Sequence, residues 1–427
     1  MAPCPSFITL PPELRNKIYE EYFVVEGGYI FDFESGKLTV ANGHRIHLGL
    51  VSTCKFIASE TQYSLERAKR LLIPDVWCIQ PIFMEALFGG SLTTIVRLSH
   101  TLFGFSDAFM AWNMSKKFPA FNNKTARALN VLDLCRVPWA FPTKAHLHRM
   151  VRELGNCESL QPLNGRQYRF TAASITIRFL DSISANARLR IRNIVVQEDR
   201  RAGAYPECHA QGLIPFCQEN KFLRIERRVN LWRTIFQEPD MDWWDYSYSF
   251  FSSDSPGEYL KQKLTPKLRE PLGHWLFEAL GLLDDGMPPD SFTLVLDGDP
   301  APELTTEIFQ AAIHRDITWE RAFKAAYDRN ILPAPQYYTF DEGPFIQAMQ
   351  HLVDKTSIIR CNFDPGEPWD FEKIIEQARG WDSEKWRRSF GNCRPTHFET
   401  TPPLPKWSDL LLDNFDPEWR KYWTANG

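Results

Sequence analysis

Two short stretches near the start of the chain repeat apolar residues at helical spacing. In Ile8 to Phe23, ITLPPELRNKIYEEYF, the residues Leu14, Ile18 and Tyr22 fall four apart and share one face, while Arg15, Asn16, Lys17, Glu20 and Glu21 fall largely elsewhere. Pro11 and Pro12 suit the first turn, where backbone N–H groups lack an intrahelical partner, and Glu13 meets the positive end of the helix dipole. In Leu48 to Thr61, LGLVSTCKFIASET, a second face is made by Leu50, Cys54, Ile57 and Thr61, widened by Val51 and Ala58. Each stretch predicts an amphipathic helix with one face built to dock. Between them, Tyr29 to Phe33 and Lys37 to Val40 flank a turn at Glu34-Ser35-Gly36 and predict a hairpin.

The pattern then changes repeatedly between helical and extended periods. Ser64 to Leu71 reads as helix, ended by Pro74, and Pro81 to Gly89 as a short buried helix. Leu129 to Leu134 alternates as a strand does, and Thr143 to Leu154 is amphipathic, with Leu147, Met150, Val151 and Leu154 on one side. Ile175, Phe179, Ile183 and Ala187 mark a helix, Ile194 to Gln197 a buried strand, Cys208 to Glu219 a helix, and Phe222 to Trp232 a strand. A strand–helix–strand order favours parallel pairing with the helix on the sheet face. After a connecting segment at 237–257, Pro256 to Leu283 reads as helix, irregular at Pro266 and Pro271. Phe292 to Leu296 is a strand, Thr305 to Asn330 one or two helices, Pro344 to Asp354 a helix and Ile358 to Phe363 a strand. The tail from Trp381, with Trp386, Trp407, Trp419 and Trp423, is expected to pack back on the body.

These elements predict an α/β fold. An N-terminal helical module with a hairpin insertion (1–75) precedes a first α/β part (76–240) and a second, helix-rich part (258–427) packed on the first. The body is expected to be a mixed or mostly parallel strand–helix arrangement, and an irregular leucine-rich-repeat-like stack is one form that suits the spacing.

The wording LPPELRNKIYE followed by LVSTCKFIASE resembles the F-box-like start of a family of filamentous-fungal proteins. The block NIVVQEDRRAGAYPECHAQGLIPFCQEN resembles the central part of the same family. The resemblance implies that the two helices bind the Skp-type linker subunit of a cullin–RING ubiquitin ligase. The implied contact residues are Leu10, Pro11, Glu13, Leu14 and Ile18, with Val51, Cys54 and Lys55. An F-box joins its helices compactly, whereas residues 24–47 intervene here.

Composition narrows the classes. The 427 residues are 44% hydrophobic and 14% aromatic, which opposes extended disorder despite 30 prolines. A net charge of −4, with no run of five like charges, leaves no electrostatic footprint for nucleic acid or an anionic membrane. The start, MAPCPSFITLPPE, is not a secretory signal, and no 18-residue apolar stretch suggests a membrane span. Nine scattered cysteines read as reduced thiols, so a cytoplasmic or nuclear setting is expected.

Candidate chemistry is sparse. Asp297-Gly298-Asp299 follows a strand in the manner of a dehalogenase-type phosphotransferase, but fits better a turn whose acids cap the next helix. Cys208, His209 and Cys217, with Cys393 and His397, are too widely spaced for a structural zinc site, so no metal or other cofactor is expected. His146 and His148 point to opposite sides of their helix. Arg224, Arg227 and Arg228 alternate along a strand with Glu226, either outward, paired with Glu198 and Asp199, or as a clamp for a ligand phosphate. Trp244, Tyr246, Tyr248 and Phe250 alternate with polar residues, so their rings share one side, which either covers the core or forms an exposed recognition surface. No catalytic motif ties a serine, a histidine and an acid together. The expectation is therefore a non-catalytic interaction adaptor joining a Skp-type linker to a client protein. The alternatives are an interaction or structural module unrelated to ubiquitin and, third, an enzyme of another type.

Overall fold

The computed structural model describes residues 7–23, 29–32, 37–40, 56–57, 70–74, 76–77, 139–140, 169–200, 202, 206–237, 263–264, 268–332, 344–392 and 397–413. The strand expected at Leu129 to Leu134, the helices at Pro81 to Gly89 and Thr143 to Leu154 with His146 and His148, and Trp419 and Trp423 lie outside the described residues.

The chain opens with α1 (Pro12–Phe23) and the expected hairpin of β1 (Tyr29–Asp32) and β2 (Lys37–Val40), in which Asp32 stands opposite Lys37. The other edge of β1 pairs in parallel with β3 (Arg70–Pro74). This corrects the helix expected through Leu71. In the apolar run, Leu71 and Leu72 pair with strands on both sides and Ile73 with β6, and that pairing outweighs the helix propensity of the charged residues before it. β4 (Val76–Trp77) then pairs antiparallel with β5 (Arg169–Phe170) in a small separate ladder.

From Thr171 onward, strand and helix alternate. Thr171 caps α2 (Ala172–Ser182) by accepting from Ser174 N, and a short α3 (Ala185–Arg188) leads to β6 (Asn193–Glu198). A 3-10 stretch Pro206–Leu213 continues as α4 (Ile214–Glu219), which precedes β7 (Arg224–Asn230). The two-residue β8 (Lys263–Leu264) precedes α5, which runs Arg269–Asp284 and so begins later than Pro256, leaving Pro271 in its first turn, where proline is tolerated. Next come β9 (Phe292–Asp297), α6 (Pro302–Ile308), a π-helical turn Phe309–His314 and α7 (Arg315–Asp328). The chain continues through α8 (Pro344–Asp354) and β10 (Ile359–Cys361) to α9 (Phe371–Gln377) and α10 (Ser383–Asn392). It closes with β11 (His397–Phe398), paired antiparallel to β8, and α11 (Trp407–Leu412).

The main sheet has seven strands in the order β10-β9-β7-β6-β3-β1-β2, all parallel except β2. It takes strands from all three segments, 1–75, 76–240 and 258–427. Along β3, β6, β7, β9 and β10 it advances in one direction only, and right-handed crossovers that always advance one way place their helices on one face. The side chains agree. Ile194, Val196, Ile225, Val229, Leu294, Leu296 and Ile359 join Ile175, Leu180, Leu213, Leu272, Trp275 and Met349 from the helices in one core. Residues of opposite parity form the other face, where Gln197, Arg228, Val295 and Arg360 stand in one rung. A second, smaller core joins Trp319, Ala322 and Ala326 of α7 to Ile374, Ile375 and Trp386. The tail tryptophans Trp386 and Trp407 are buried, as expected.

One loop is held by side chains spaced four apart. Gln310, His314 and Thr318 each bond the backbone of 365–369: Gln310 exchanges bonds of 3.0 and 2.9 Å with Glu367, His314 Nε2 lies 2.7 Å from the Pro365 carbonyl, and Thr318 Oγ1 accepts from Trp369 N at 3.2 Å.

Candidate functional site

The stripe expected to dock faces solvent. On α1, Leu14 is 51% exposed, Ile18 43% and Tyr22 39%, joined by Ile8 at 53%. What the helix buries is the face beside it. Tyr19 is fully buried with its ring edge-on to Phe7 at 5.5 Å, and Arg15, four residues earlier, is also buried. A helix normally hides its apolar stripe, so one that buries an arginine and exposes Leu14 and Ile18 leaves an apolar patch of the kind that marks an interaction surface. Among the other residues expected at this surface, Leu10 is half-buried and Pro11 and Glu13 are exposed. Val51, Cys54 and Lys55 lie outside the described residues, as do Trp244, Tyr246, Tyr248 and Phe250. From the second stretch, Ile57 is buried while Phe56, which was not on the expected stripe, is 47% exposed.

The charged run on β7 divides by strand parity. Arg227 shares the core face with Ile225 and Val229 and pairs with Glu198, Nη2 to Oε1 at 2.6 Å, both side chains being 1% exposed. Glu198 also accepts the first two N–H groups of α2, from Ala172 at 2.9 Å and Ala173 at 3.2 Å. Arg227 in turn donates to the carbonyls of Pro206 and Glu207 and lies under the Trp275 ring at 4.6 Å. This closed arrangement ties two strands to a helix N-terminus and leaves nothing open to a ligand. Arg228, on the opposite face, bonds Glu226 at 2.6 Å and stands 3.6 Å from Asp297.

Asp297-Gly298-Asp299 forms the expected turn, but its acids do not cap α6. Asp297 is the last residue of β9, and its Oδ1 accepts from Asp299 N at 3.0 Å and from Asn362 Nδ2 at 2.7 Å. The N-cap of α6 is Ala301, with no side-chain bond. The carboxylate therefore fastens the turn to the neighbouring strand end.

A serine and a histidine do meet where spacing gave no hint. Ser174 Oγ lies 3.0 Å from His209 Nδ1, but Thr171 Oγ1 shares that nitrogen at 2.7 Å, and all three side chains are buried. They fasten the first turn of α2 to the 3-10 stretch. Beside them, burial pushes the Cys208 thiol up to about 12, and burial likewise pushes Cys217 up to about 11, which disfavours the thiolate a metal or a nucleophilic reaction needs. Cys393 lies outside the described residues. Among the described residues there is no group of three or more His, Cys, Asp or Glu placed to hold a metal ion, and no helix long and apolar enough to cross a membrane.

No protein-family model, curated protein or solved structure matches this chain.

Proposed function

We propose that this chain is a non-catalytic interaction adaptor, the client-recruiting subunit of a cullin–RING ubiquitin ligase, with α1 contacting the Skp-type linker subunit. The observation that carries the reading is the exposure of Leu14 and Ile18, at 51% and 43%, on a helix that buries Arg15 and Tyr19 instead. An exposed apolar stripe on a helix suits helix-in-groove recognition, in which residues at i and i+4 act as anchors. The resemblance of LPPELRNKIYE to an F-box-like start names the partner. The α/β body carries the client. Its one-directional parallel sheet supports an irregular leucine-rich-repeat-like stack, an architecture that offers extended binding surfaces. The reading places the protein in the cytoplasm or nucleus, where such ligases act.

The test is affinity purification of the tagged chain from its own cells beside a Leu14→Asp, Ile18→Asp variant. A linker and a cullin are expected with the natural chain and absent with the variant, which should keep its melting behaviour because both positions are exposed. Recovery of neither from the natural chain would move the protein to an interaction module unrelated to ubiquitin.

A further inference from the structure

Two arginines from neighbouring strand ends meet one carboxylate from the tail. Arg200 lies just beyond β6 and Arg233 just beyond β7, at the carboxyl ends of adjacent parallel strands, the side of an open α/β sheet on which ligands bind. Asp413 Oδ2 stands 2.8 Å from Arg233 Nη1 and 3.7 Å from Arg200 Nη2, so the first contact is a hydrogen bond and the second is not. The Arg200 side chain otherwise donates only from Nη1, to the Asp199 carbonyl at 2.8 Å, and the Arg233 side chain donates only to Asp413. Among the described residues, both guanidiniums therefore keep N–H groups that no acceptor meets. The strand ends behind them are fixed. Arg233 N donates to Asn230 Oδ1 at 2.9 Å, Asn230 Nδ2 to the Asp299 carbonyl at 2.8 Å and Thr234 Oγ1 to the Glu198 carbonyl at 3.1 Å, which ties the ends of β6, β7 and β9 together. Asp413 N donates to the Asp409 carbonyl at 3.0 Å and so closes the last turn of α11, where the helix dipole disfavours an acid. The arginine pair, not the helix, favours a carboxylate at that position.

We propose that Arg200 and Arg233 form a binding site for a phosphate group, and that Asp413 is its internal occupant, displaced when the ligand arrives. The site is independent of the adaptor reading and uses none of its residues. Both contacts of Asp413 fall on one oxygen, which serves Arg233 well and Arg200 poorly. A phosphate monoester carries three acceptor oxygens and more negative charge than a carboxylate, so a separate oxygen can face each arginine. The planar fork of a guanidinium matches that geometry bidentately. The charges agree. Asp199 stands 4.0 Å from Arg200, while Glu226 and Asp297 are answered by Arg228, so with Asp413 displaced the two cations face Asp199 alone and keep an excess positive charge. All three side chains are partly exposed, which gives a solute access to them.

The test measures binding of inorganic phosphate to the full-length chain by calorimetry. Asp413→Asn removes the competing charge and keeps its shape, so this variant should bind phosphate about tenfold more tightly than the natural chain. Arg200→Gln and Arg233→Gln, each made in the Asp413→Asn chain, should each lose about tenfold or more of that affinity. Trp407 and Leu410 keep α11 in the core, and the three charges are partly exposed, so melting curves should show every variant folded. An Asp413→Asn chain that binds phosphate no more tightly than the natural one overturns the proposal. Equal binding with either arginine removed marks an adventitious ion only, and overturns it as well. A short phosphoserine peptide then assigns the source of the phosphate. Tighter binding than inorganic phosphate points to a phosphorylated segment of a partner and equal or weaker binding to a free phosphate ligand, and both outcomes support the site if they need the same arginines.

Discussion

Replacing Glu198 with glutamine probes the charge pair that joins β6 and β7 to α2. The carboxylate accepts four N–H groups, from Arg227 Nε at 2.9 Å, Arg227 Nη2 at 2.6 Å, Ala173 at 3.2 Å and Ala172 at 2.9 Å. An amide of the same shape keeps one acceptor and turns an NH2 toward donors, and it leaves the guanidinium charged with no counter-charge. The carbonyls of Pro206 and Glu207 and the Trp275 ring soften that charge without neutralising it. Removing one partner of a buried pair costs about 3–5 kcal/mol. Total stabilities are about 5–15 kcal/mol, so the expected loss is a large fraction of the whole. Arg227→Met leaves the opposite charge stranded at comparable cost. The double variant strands neither, and should recover about 0.5–3 kcal/mol relative to the sum of the singles. Urea unfolding of the four proteins, followed by tryptophan fluorescence, supplies the values. A loss below about 1 kcal/mol for Glu198→Gln, or strict additivity in the double variant, would refute the argument that charge pairing holds these elements together.

Two glycines with similar φ should respond differently to alanine. Gly380 has φ 79° and open space where a Cβ would stand, so alanine there should cost about 1–2 kcal/mol from the backbone alone. Gly366 has φ 76°, and its added Cβ would press on Gln310 Oε1 and stand 3.3 Å from His314 Cδ2, so its cost should reach about 2–4 kcal/mol. Equal shifts in the urea midpoint would count against the packing argument. Burial holds the imidazole of His314 below the ordinary histidine value of 6.5, against the opposing pull of the Pro365 carbonyl and Asp364. The folded form therefore binds fewer protons than the unfolded one, so the contribution is fully present above pH 6.5 and is lost as pH falls from there through the lowered value. Urea midpoints should drop as the pH falls below 6.5, and His314→Gln should flatten that slope; an unchanged slope would show that another group is responsible.

Much of the body was legible from periodicity. Ile194 to Gln197, Phe222 to Trp232, Phe292 to Leu296 and Pro344 to Asp354 all fall where an element of the expected type lies, since each carries a strong period and is bounded by turn residues. The strand at Arg70 to Pro74 was not legible, because its short apolar run becomes a strand through partners more than a hundred residues away in β6. Arg227 could be placed by parity, being two residues from both Ile225 and Val229, but its partner Glu198 is visible only across the folded sheet. At α1, the spacing of four puts Leu14, Ile18 and Tyr22 on one side, and all three are exposed. The hidden part was the pairing of Arg15 with Phe56, which depends on how two distant segments meet. Arg15 and Tyr19, spaced four apart, were the available signal for the buried side.

The order of strands has a consequence for synthesis on the ribosome. Once the hairpin and β3 have formed, every later strand of the main sheet is laid beside the one made before it, ending with β10 at the far edge. A nascent chain then never holds a gap open for a strand still to be translated, and each added unit finds its template already in place. The sheet can grow at one edge as the chain emerges, each new unit capping the exposed edge left by the last.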